Sequence, residues 1–121
     1  IQRGIAVAGA RILILGITFK ENCPDLRNTR VVELAEKFGE YRAKVDIHDP
    51  WADAGEARRA YGVDLRPEAP QLNTYHAVIV AVAHDQFREL GPQGARAYGR
   101  PHALLYDIKS LYPREQVDAR L

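Results

Sequence analysis

The sequence predicts an α/β domain in which helices cover both faces of an open, parallel sheet. Two short, continuous apolar segments, residues 11–16 and 77–82, are typical of strands that are buried on both faces. Helical and strand-like segments alternate along the rest of the chain, as in doubly wound sheets. Because crossovers in such sheets are right-handed, the carboxyl ends of all strands lie at one edge, and ligands bind there.

The bulk composition is that of one globular domain. The chain has 121 residues, of which 46% are apolar and 27% are charged. A net charge of +1 and scattered basic residues give no reason to expect binding to nucleic acid or to a membrane surface. No apolar segment approaches the roughly 18 residues that cross a bilayer. The single cysteine, Cys23, is compatible with a reducing cytoplasm.

The first half of the chain predicts strands that alternate with helices. The loop at residues 17–27, after the first strand, is irregular and longer than the roughly 2 to 6 residues usual for such a connection. Asn28 or Thr29 is expected to cap the next helix, and Gly39 is expected to end it. That helix is indicated by apolar residues at helical spacing: Val31, Leu34, Ala35 and Phe38. A strand at 44–48, a helix at 52–61 closed by Gly62 and a very short strand at 63–65 follow.

The second half repeats the alternation. The segments in order are a weak helical turn at 68–73, the apolar strand at 77–82, a helix at 84–90, a short helix or turn at 93–98 and a last strand at 103–106. The loops expected at the ligand-binding edge are therefore 17–27, 49–51, 83–85 and 107–110.

Three cations are expected at this edge. The long loop carries Lys20 and Arg27, and Lys109 follows the last strand. Cations next to the free N–H groups of a helix N-terminus are suited to binding phosphate. Solvated surface charges are the competing interpretation for each of the three. The residues alone therefore favour an α/β domain with a cationic crevice for a phosphate-bearing ligand.

Asp49 and Gly16 do not predict a dinucleotide site. An acidic residue at the end of the second strand could bind a ribose, but the Asp49-Pro50 dipeptide is a common turn. The first loop contains only Gly16 and not the G-x-G-x-x-G pattern. A NAD site built on this loop is therefore not expected.

The remaining reactive side chains favour structural interpretations. Cys23 has no base beside it in the sequence, and His48, His76, His84 and His102 lack the spacing of metal ligands. The His84-Asp85 pair could bind a ligand, although a helix cap by Asp85 is the simpler interpretation. Trp51 is expected to pack against the protein. No metal site is predicted.

Residues 15–29, LGITFKENCPDLRNT, resemble the C-terminal domain of the UDP-glucose/GDP-mannose dehydrogenase family. That family carries Leu-Gly-x-x-Phe-Lys, then Asp-x-Arg, then a helix. The Asp49-Pro50 pair, the segment 81–85 and the Asp107-x-Lys109 end match in order and spacing. The sequence of residues 19–25 is similar to that of one branch of the family. This branch acts on UDP-N-acetylglucosamine or UDP-N-acetylgalactosamine and makes uronic acids for surface polysaccharides.

The resemblance implies a three-layer, Rossmann-like fold, and it implies that substrate binding, NAD binding and catalysis are assigned to different domains. In the family this domain holds the UDP part of the sugar substrate, while an N-terminal domain holds NAD and a central region supplies the catalytic cysteine. Phe19 and Lys20 match the family's substrate-contacting pair, and Arg27 matches an arginine that reaches NAD. Lys109 stands where UDP-glucose dehydrogenases have Asp-Gly-Arg, which implies a substrate contact without the bidentate fork of arginine. No catalytic residue is expected in this chain.

The resemblance also implies an organisation. Residues 10–121 form the UDP-sugar-binding domain, residues 1–9 end a preceding linker or helix, and the full-length enzyme is a cytoplasmic homodimer or larger assembly. The isolated chain is expected to be inactive. A stand-alone nucleotide-sugar-binding module is the alternative, and an upstream glycine fingerprint with a cysteine motif would decide between the two. A phosphoacceptor receiver domain is rejected because the loop after Gly16 lacks its acidic pair. The missing glycine fingerprint also disfavours a self-contained Rossmann dehydrogenase.

Overall fold

The computed structural model describes residues 8–27, 29–66 and 68–120, which form a parallel sheet with helices on both faces. The elements in order are β1 (Arg11–Leu15), α1 (Val31–Glu40), β2 (Lys44–His48), α2 (Ala54–Tyr61), β3 (Tyr75–Val80), α3 (Asp85–Ala97), β4 (Gly99–Asp107), a 3-10 turn (Arg114–Gln116) and β5 (Ala119–Arg120). The strand order is β2-β1-β3-β4-β5, and every neighbouring pair is parallel. The predicted three-layer α/β architecture is confirmed.

The central strand β1 is covered on both faces, as its sequence predicts. Ile12 and Ile14 belong to the core beneath α1 and α2, whereas Leu13 and Leu15 belong to the core beneath α3. All of them are at most 4% exposed. Because successive side chains of a strand point to opposite faces, a strand that is apolar at every position requires two covering layers.

The first helix begins one or two residues later than the sequence predicts. Arg30 is the N-cap of α1 and makes no side-chain capping bond, while Thr29 Oγ1 accepts a hydrogen bond from the Val31 N–H at 3.2 Å. Asn28, the other predicted cap, lies outside the described residues. Gly39 does not end the helix, which continues to Glu40, and Arg42 takes the left-handed conformation with φ 66°. The turn after α1 therefore does not depend on the glycine.

The second helix follows its predicted signals more closely. Asp53 caps α2 by accepting from the Glu56 N–H at 2.9 Å, and Gly62 closes it in the left-handed conformation. The helix starts at Ala54 instead of the predicted residue 52. The difference of two residues arises because the capping side chain lies at Asp53.

The third helix combines the two short helices that the sequence predicts. α3 runs through a kink at Gly91, which has φ 72° and ψ 169°, and Pro92 follows it. Because proline cannot donate a helical hydrogen bond, the axis changes where the sequence suggested a break.

The weakest predicted elements differ from the structure. The strand expected at 63–65 is reduced to one bridge between Leu65 and Ile47, and residues 68–73 contain no helix. Pro70 lacks an N–H donor, which disfavours a helical turn there. The short strand β5, paired with β4, was not predicted because two residues carry no periodicity.

Most of the segment expected to precede the domain, residues 1–7 of 1–9, lies outside the described residues. In the part that the structure describes, no helix is long and apolar enough to cross a membrane.

Candidate functional site

A cleft of about 430 Å³ opens at the carboxyl-terminal edge of the sheet. The residues that line it come from the loop after β1, the start of α1 and the loops after β3 and β4: Thr18, Phe19, Thr29, Arg30, Val31, Ala81, Val82 and Lys109. Parallel sheets with right-handed crossovers bind ligands at this edge, and the structure has a cleft at the predicted location.

The structure brings two of the predicted residues together in this cleft. Phe19 and Lys109 both line it, although they are far apart in sequence, and the Phe19 ring is 53% exposed. Lys20 is exposed beside Phe19 but is not among the lining residues. An exposed aromatic ring next to exposed ammonium groups provides a stacking surface together with positive charge.

Arg27 lies outside the cleft lining and pairs with Asp25. Its guanidinium donates to both carboxylate oxygens of Asp25 at 2.9 to 3.2 Å, and its side chain is 86% exposed. Hydrogen bonds from the Arg27 side chain and backbone hold the pKa of Asp25 down to about 2, and Lys20 adds a smaller effect. Arg27 is therefore an exposed cation whose carboxylate partner is in the same loop.

Lys109 is held by the turn that follows β4. Asp107 is buried, and its Oδ2 accepts a hydrogen bond from the Tyr112 N–H at 2.7 Å. The Ile108 N–H donates to the Val80 carbonyl at 3.0 Å, which ties the turn to the end of β3. These contacts place Lys109 next to the residues that follow β3.

The start of α1 gives the cleft the character of an anion site. The arginine at the N-cap has no acceptor atom, so among the described residues of the first turn only the Val31 N–H has a side-chain acceptor, Thr29 Oγ1. Helix N-termini and cations both favour negative charge. Glu33 in the first turn opposes this in part. Arg30 was missed from the sequence, since the helix was expected to begin before it.

The loop after β1 is fixed by a buried carboxylate at the end of β2. Oδ2 of Asp49 accepts from the N–H groups of Ile17 and Thr18, at 2.7 and 3.1 Å, and Oδ1 accepts from the Trp51 N–H at 2.8 Å. The favoured interpretation of Asp49 as a turn residue is confirmed. Because its side chain is fully buried and both oxygens accept from protein donors, Asp49 is not placed to bind a ribose.

His84 completes this buried cluster. Its Nε2 lies 3.0 Å from Asp49 Oδ2 and 3.1 Å from Thr18 Oγ1, and its Nδ1 accepts from the Asn22 N–H at 2.9 Å. Burial raises the pKa of Asp49, but hydrogen bonds from His84 and the backbone outweigh burial and hold the pKa below its ordinary value. The cluster of Asp49, His84, Thr18 and Asn22 was not predicted; we call it the His84 cluster.

Two expectations for this edge are corrected. The N-cap of α3 is His84 and not Asp85, and the Asp85 N–H donates to the side chain of Asn22 at 2.9 Å. Trp51 is 37% exposed, and its Nε1 donates to Gln86 Oε1 at 3.0 Å, so it is only partly packed. The first difference arises because the long loop folds back onto the start of α3, where Asn22 accepts from the Asp85 N–H.

A family model for the UDP binding domain of the UDP-glucose/GDP-mannose dehydrogenase family matches residues 13–114. The chain belongs to this family. It is 50% identical over its whole length to UDP-N-acetyl-D-glucosamine 6-dehydrogenase from Salmonella typhi and 43% identical to the protein of that name from Pseudomonas aeruginosa. It covers 28% of the length of each of these relatives. The NDP-N-acetyl-D-galactosaminuronic acid dehydrogenase structure from Methanosarcina mazei Go1 shares the fold, with a TM-score of 0.80, 19% identity and coverage of 95% of this chain and 24% of that one.

In this UDP-binding domain Gly16 is explained by packing. Gly16 has φ 106°, and a Cβ added there would lie 2.7 Å from Val82 Cβ. The glycine is therefore required for the close approach of β1 to the residues after β3. Gly16 and Asp49 are thus both accounted for by the packing of this loop.

The remaining candidates of the family domain stay outside the cleft. Cys23 is partly buried in the loop, and among the described residues no group of three histidine, cysteine or acidic side chains could hold a metal ion. His84 belongs to the buried cluster, and His102 is exposed on β4 with φ 68°.

Proposed function

We propose that this chain is the UDP-sugar-binding domain of an NAD-dependent UDP-N-acetylhexosamine 6-dehydrogenase, with residues 10–121 as the domain and 1–9 as the end of a preceding segment. The observation that carries the proposal is the cleft that unites Phe19, Lys109 and the N-terminus of α1 at the ligand-binding edge. The 50% identity to a UDP-N-acetyl-D-glucosamine 6-dehydrogenase supports the choice of sugar class.

The cleft suits a nucleoside diphosphate in both size and charge. A volume of about 430 Å³ lies within the range of ligand pockets. In the proposal the diphosphate lies near Lys20, Lys109 and the first turn of α1, where charge-assisted hydrogen bonds are each worth roughly 1.5–3 kcal/mol. The exposed ring of Phe19 provides an apolar contact for the rest of the ligand.

The reaction oxidises the C6 alcohol of the sugar to a carboxylate, and each of its two oxidation steps reduces one NAD. NAD is held mainly by a domain outside this chain, and Arg27 reaches toward it with its exposed guanidinium. The nucleophilic cysteine is also supplied from outside, so Cys23 has no part in the chemistry. This chain contributes binding energy remote from the reacting carbon, which positions the sugar for hydride transfer.

We also propose that this domain functions within a larger polypeptide and an oligomer. The NAD-binding and central domains of the same polypeptide are the partners, the complete enzyme is a homodimer or larger, and its products serve surface polysaccharide synthesis. Its nucleotide substrates are consistent with a cytoplasmic location.

A stand-alone nucleotide-sugar-binding module is the alternative function. It predicts the same cleft and the same UDP affinity but no oxidation. Incubation of the complete polypeptide with UDP-N-acetylglucosamine and NAD separates the two functions. Formation of two NADH for each uronate supports the dehydrogenase, whereas binding without NADH formation supports the module.

Binding is tested by titrating UDP into the chain and following backbone amide shifts by NMR. We expect saturable shifts at Phe19, Lys20, Arg30 and Lys109. UMP, which lacks the second phosphate, should bind more weakly. Shifts confined to another surface, or equal affinity for UMP and UDP, would contradict the proposed diphosphate site.

A further inference from the structure

We propose that His84 is a positioning residue for substrate binding, because its neutral imidazole fixes the part of the β1–α1 loop that presents Phe19 and Lys20 at the cleft. The inference rests on the proposed UDP-binding function. His84 itself does not line the cleft and is fully buried, so any effect on binding must pass through the residues that it contacts.

The hydrogen bonds determine the tautomer of the ring. The Asn22 N–H can only donate, so Nδ1, at 2.9 Å from it, must be unprotonated. The Asp49 carboxylate can only accept, so Nε2, at 3.0 Å from Oδ2, must carry the proton. A ring protonated on both nitrogens would place two donors against each other at Asn22. The neutral Nε2–H form is therefore the one that fits the loop.

The ring contacts the loop on both sides of the proposed substrate residues. Thr18 precedes Phe19, and its Oγ1 accepts from Nε2 at 3.1 Å while donating to the Lys20 carbonyl at 3.1 Å. Asn22 follows Lys20 after one residue and has a left-handed φ of 54°. Because the ring holds Thr18 and Asn22 together, it sets the path of the three residues between them.

The ring is itself held in a fixed position. His84 is the N-cap of α3, and its ring centroid lies 5.5 Å from Phe87 and 6.2 Å from Trp51. Asn22 Oδ1 accepts from the Asp85 N–H, so the loop is tied to the start of α3 by a second contact. The cluster thereby connects the loop to the end of β2 and to the start of α3.

A second cation at this edge of the sheet has a different support. Lys109 is carried by the turn after β4, which is anchored through Asp107 and Val80. A change at His84 should therefore displace Lys20 and leave Lys109 in place. A general loss of stability would affect both lysines, so comparing Lys20 with Lys109 distinguishes it from a positioning role.

Two substitutions divide the functions of the ring. His84→Asn keeps an acceptor near Nδ1 and loses the Nε2 donor, whereas His84→Gln keeps a donor near Nε2 and loses the Nδ1 acceptor. We expect each to weaken UDP binding about 10-fold, the scale of one charge-assisted contact. His102→Asn is the control, because His102 is exposed on β4 and asparagine tolerates its positive φ. It should leave UDP binding unchanged.

A double-mutant cycle provides the deciding measurement. In the His84→Gln background, Lys20→Ala should cost less than about 3-fold, since the loop is already displaced. Lys109→Ala should cost the same factor in both backgrounds. If Lys20→Ala also cost the same factor in both backgrounds, as is expected for Lys109→Ala, the positioning role would be overturned while UDP binding remained established. Failure of the wild type to bind UDP would instead overturn the proposed function, and the positioning role with it.

The wild-type ring gives an independent result if the variants do not fold. Long-range ¹H–¹⁵N correlation spectra should show a proton on Nε2 and a coupling between Nδ1 and the Asn22 amide nitrogen. A ring protonated on Nδ1 would contradict the contact on which the inference depends.

Discussion

Oδ2 of Asp49 lies 3.0 Å from Nε2 of His84, and both side chains are fully buried. Asp49 follows β2 and His84 follows β3, and β1 lies between these two strands in the sheet. The contact therefore passes over the end of β1, where the chain leaves the sheet to form the loop of the cleft. One carboxylate and one imidazole thus fix the start of that loop from both neighbouring strands.

Asp49→Asn is expected to destabilise the fold. Every described partner of the carboxylate is a donor, so the amide NH₂ of asparagine would face a donor wherever it points. Replacing the charged acceptor and leaving a buried donor unsatisfied should lower the free energy of unfolding by about 2–3 kcal/mol. Urea unfolding of the chain measures this. Asp53→Asn is the matched control, since asparagine caps a helix about as well as aspartate, and an equal loss at Asp53 would contradict the account.

Acid should remove the contribution of Asp49. Although burial raises the pKa of this carboxyl, the hydrogen bonds from His84 and the Ile17 N–H hold it below its ordinary value. A carboxyl with a lowered folded-state pKa stabilises the fold above its unfolded value of about 3.9, and that contribution is lost as the pH falls through the folded value. The difference in unfolding free energy between wild type and Asp49→Asn should therefore shrink as the pH falls below about 4. If this difference grew in the same pH range, the pKa of Asp49 in the folded state would not be lowered.

Gly16→Ala should damage the edge of the sheet that carries the cleft. The residue has φ 106°, and its new Cβ would meet Val82 Cβ at 2.7 Å. The positive φ alone costs an alanine on the order of 1–3 kcal/mol, and the clash with Val82 adds to this cost. Gly39→Ala is the control, because Gly39 lies within α1 with nothing within 4 Å of an added Cβ. It should stabilise the helix by up to about 1 kcal/mol. Thermal unfolding of both variants compares the same substitution with opposite expected signs.

The sheet and the position of the cleft were predictable from the sequence because they depend on strong local patterns. The apolar run of β1 requires burial on both faces, and right-handed crossovers then bring the strand ends together. The His84 cluster was not predictable in this way. Asp49 and His84 are 35 residues apart, and a hydrogen bond at that separation leaves no periodicity in the sequence. Arg30 was missed because helix starts carry an uncertainty of a residue or two, and the predicted start of α1 fell before it.

Lys20→Ala should weaken UDP-sugar binding about 10- to 100-fold in the complete enzyme, which is the range for one lost charge-assisted hydrogen bond. Lys20 is exposed next to Phe19, so the fold should tolerate the change. Isothermal titration measures the affinity, and thermal unfolding checks that the variant is intact. An unchanged affinity would exclude Lys20 from the binding site and leave Lys109, Arg30 and the α1 N-terminus as the groups that attract the diphosphate.

Arg30→Ala separates binding from stability most clearly. Arg30 is a cation at the positive end of the α1 dipole, an arrangement that does not favour the helix, so its removal should leave stability unchanged or raise it by up to about 0.5 kcal/mol. Its position on the cleft lining predicts a loss of UDP affinity of about 5-fold, with the larger loss at low salt because the guanidinium is exposed. Lys37→Ala removes the same charge from the last turn of α1, where a cation favours the helix, and should lower stability slightly without changing affinity. If both variants lost affinity equally, the net charge of the chain, and not the place of Arg30 in the cleft, would account for the effect.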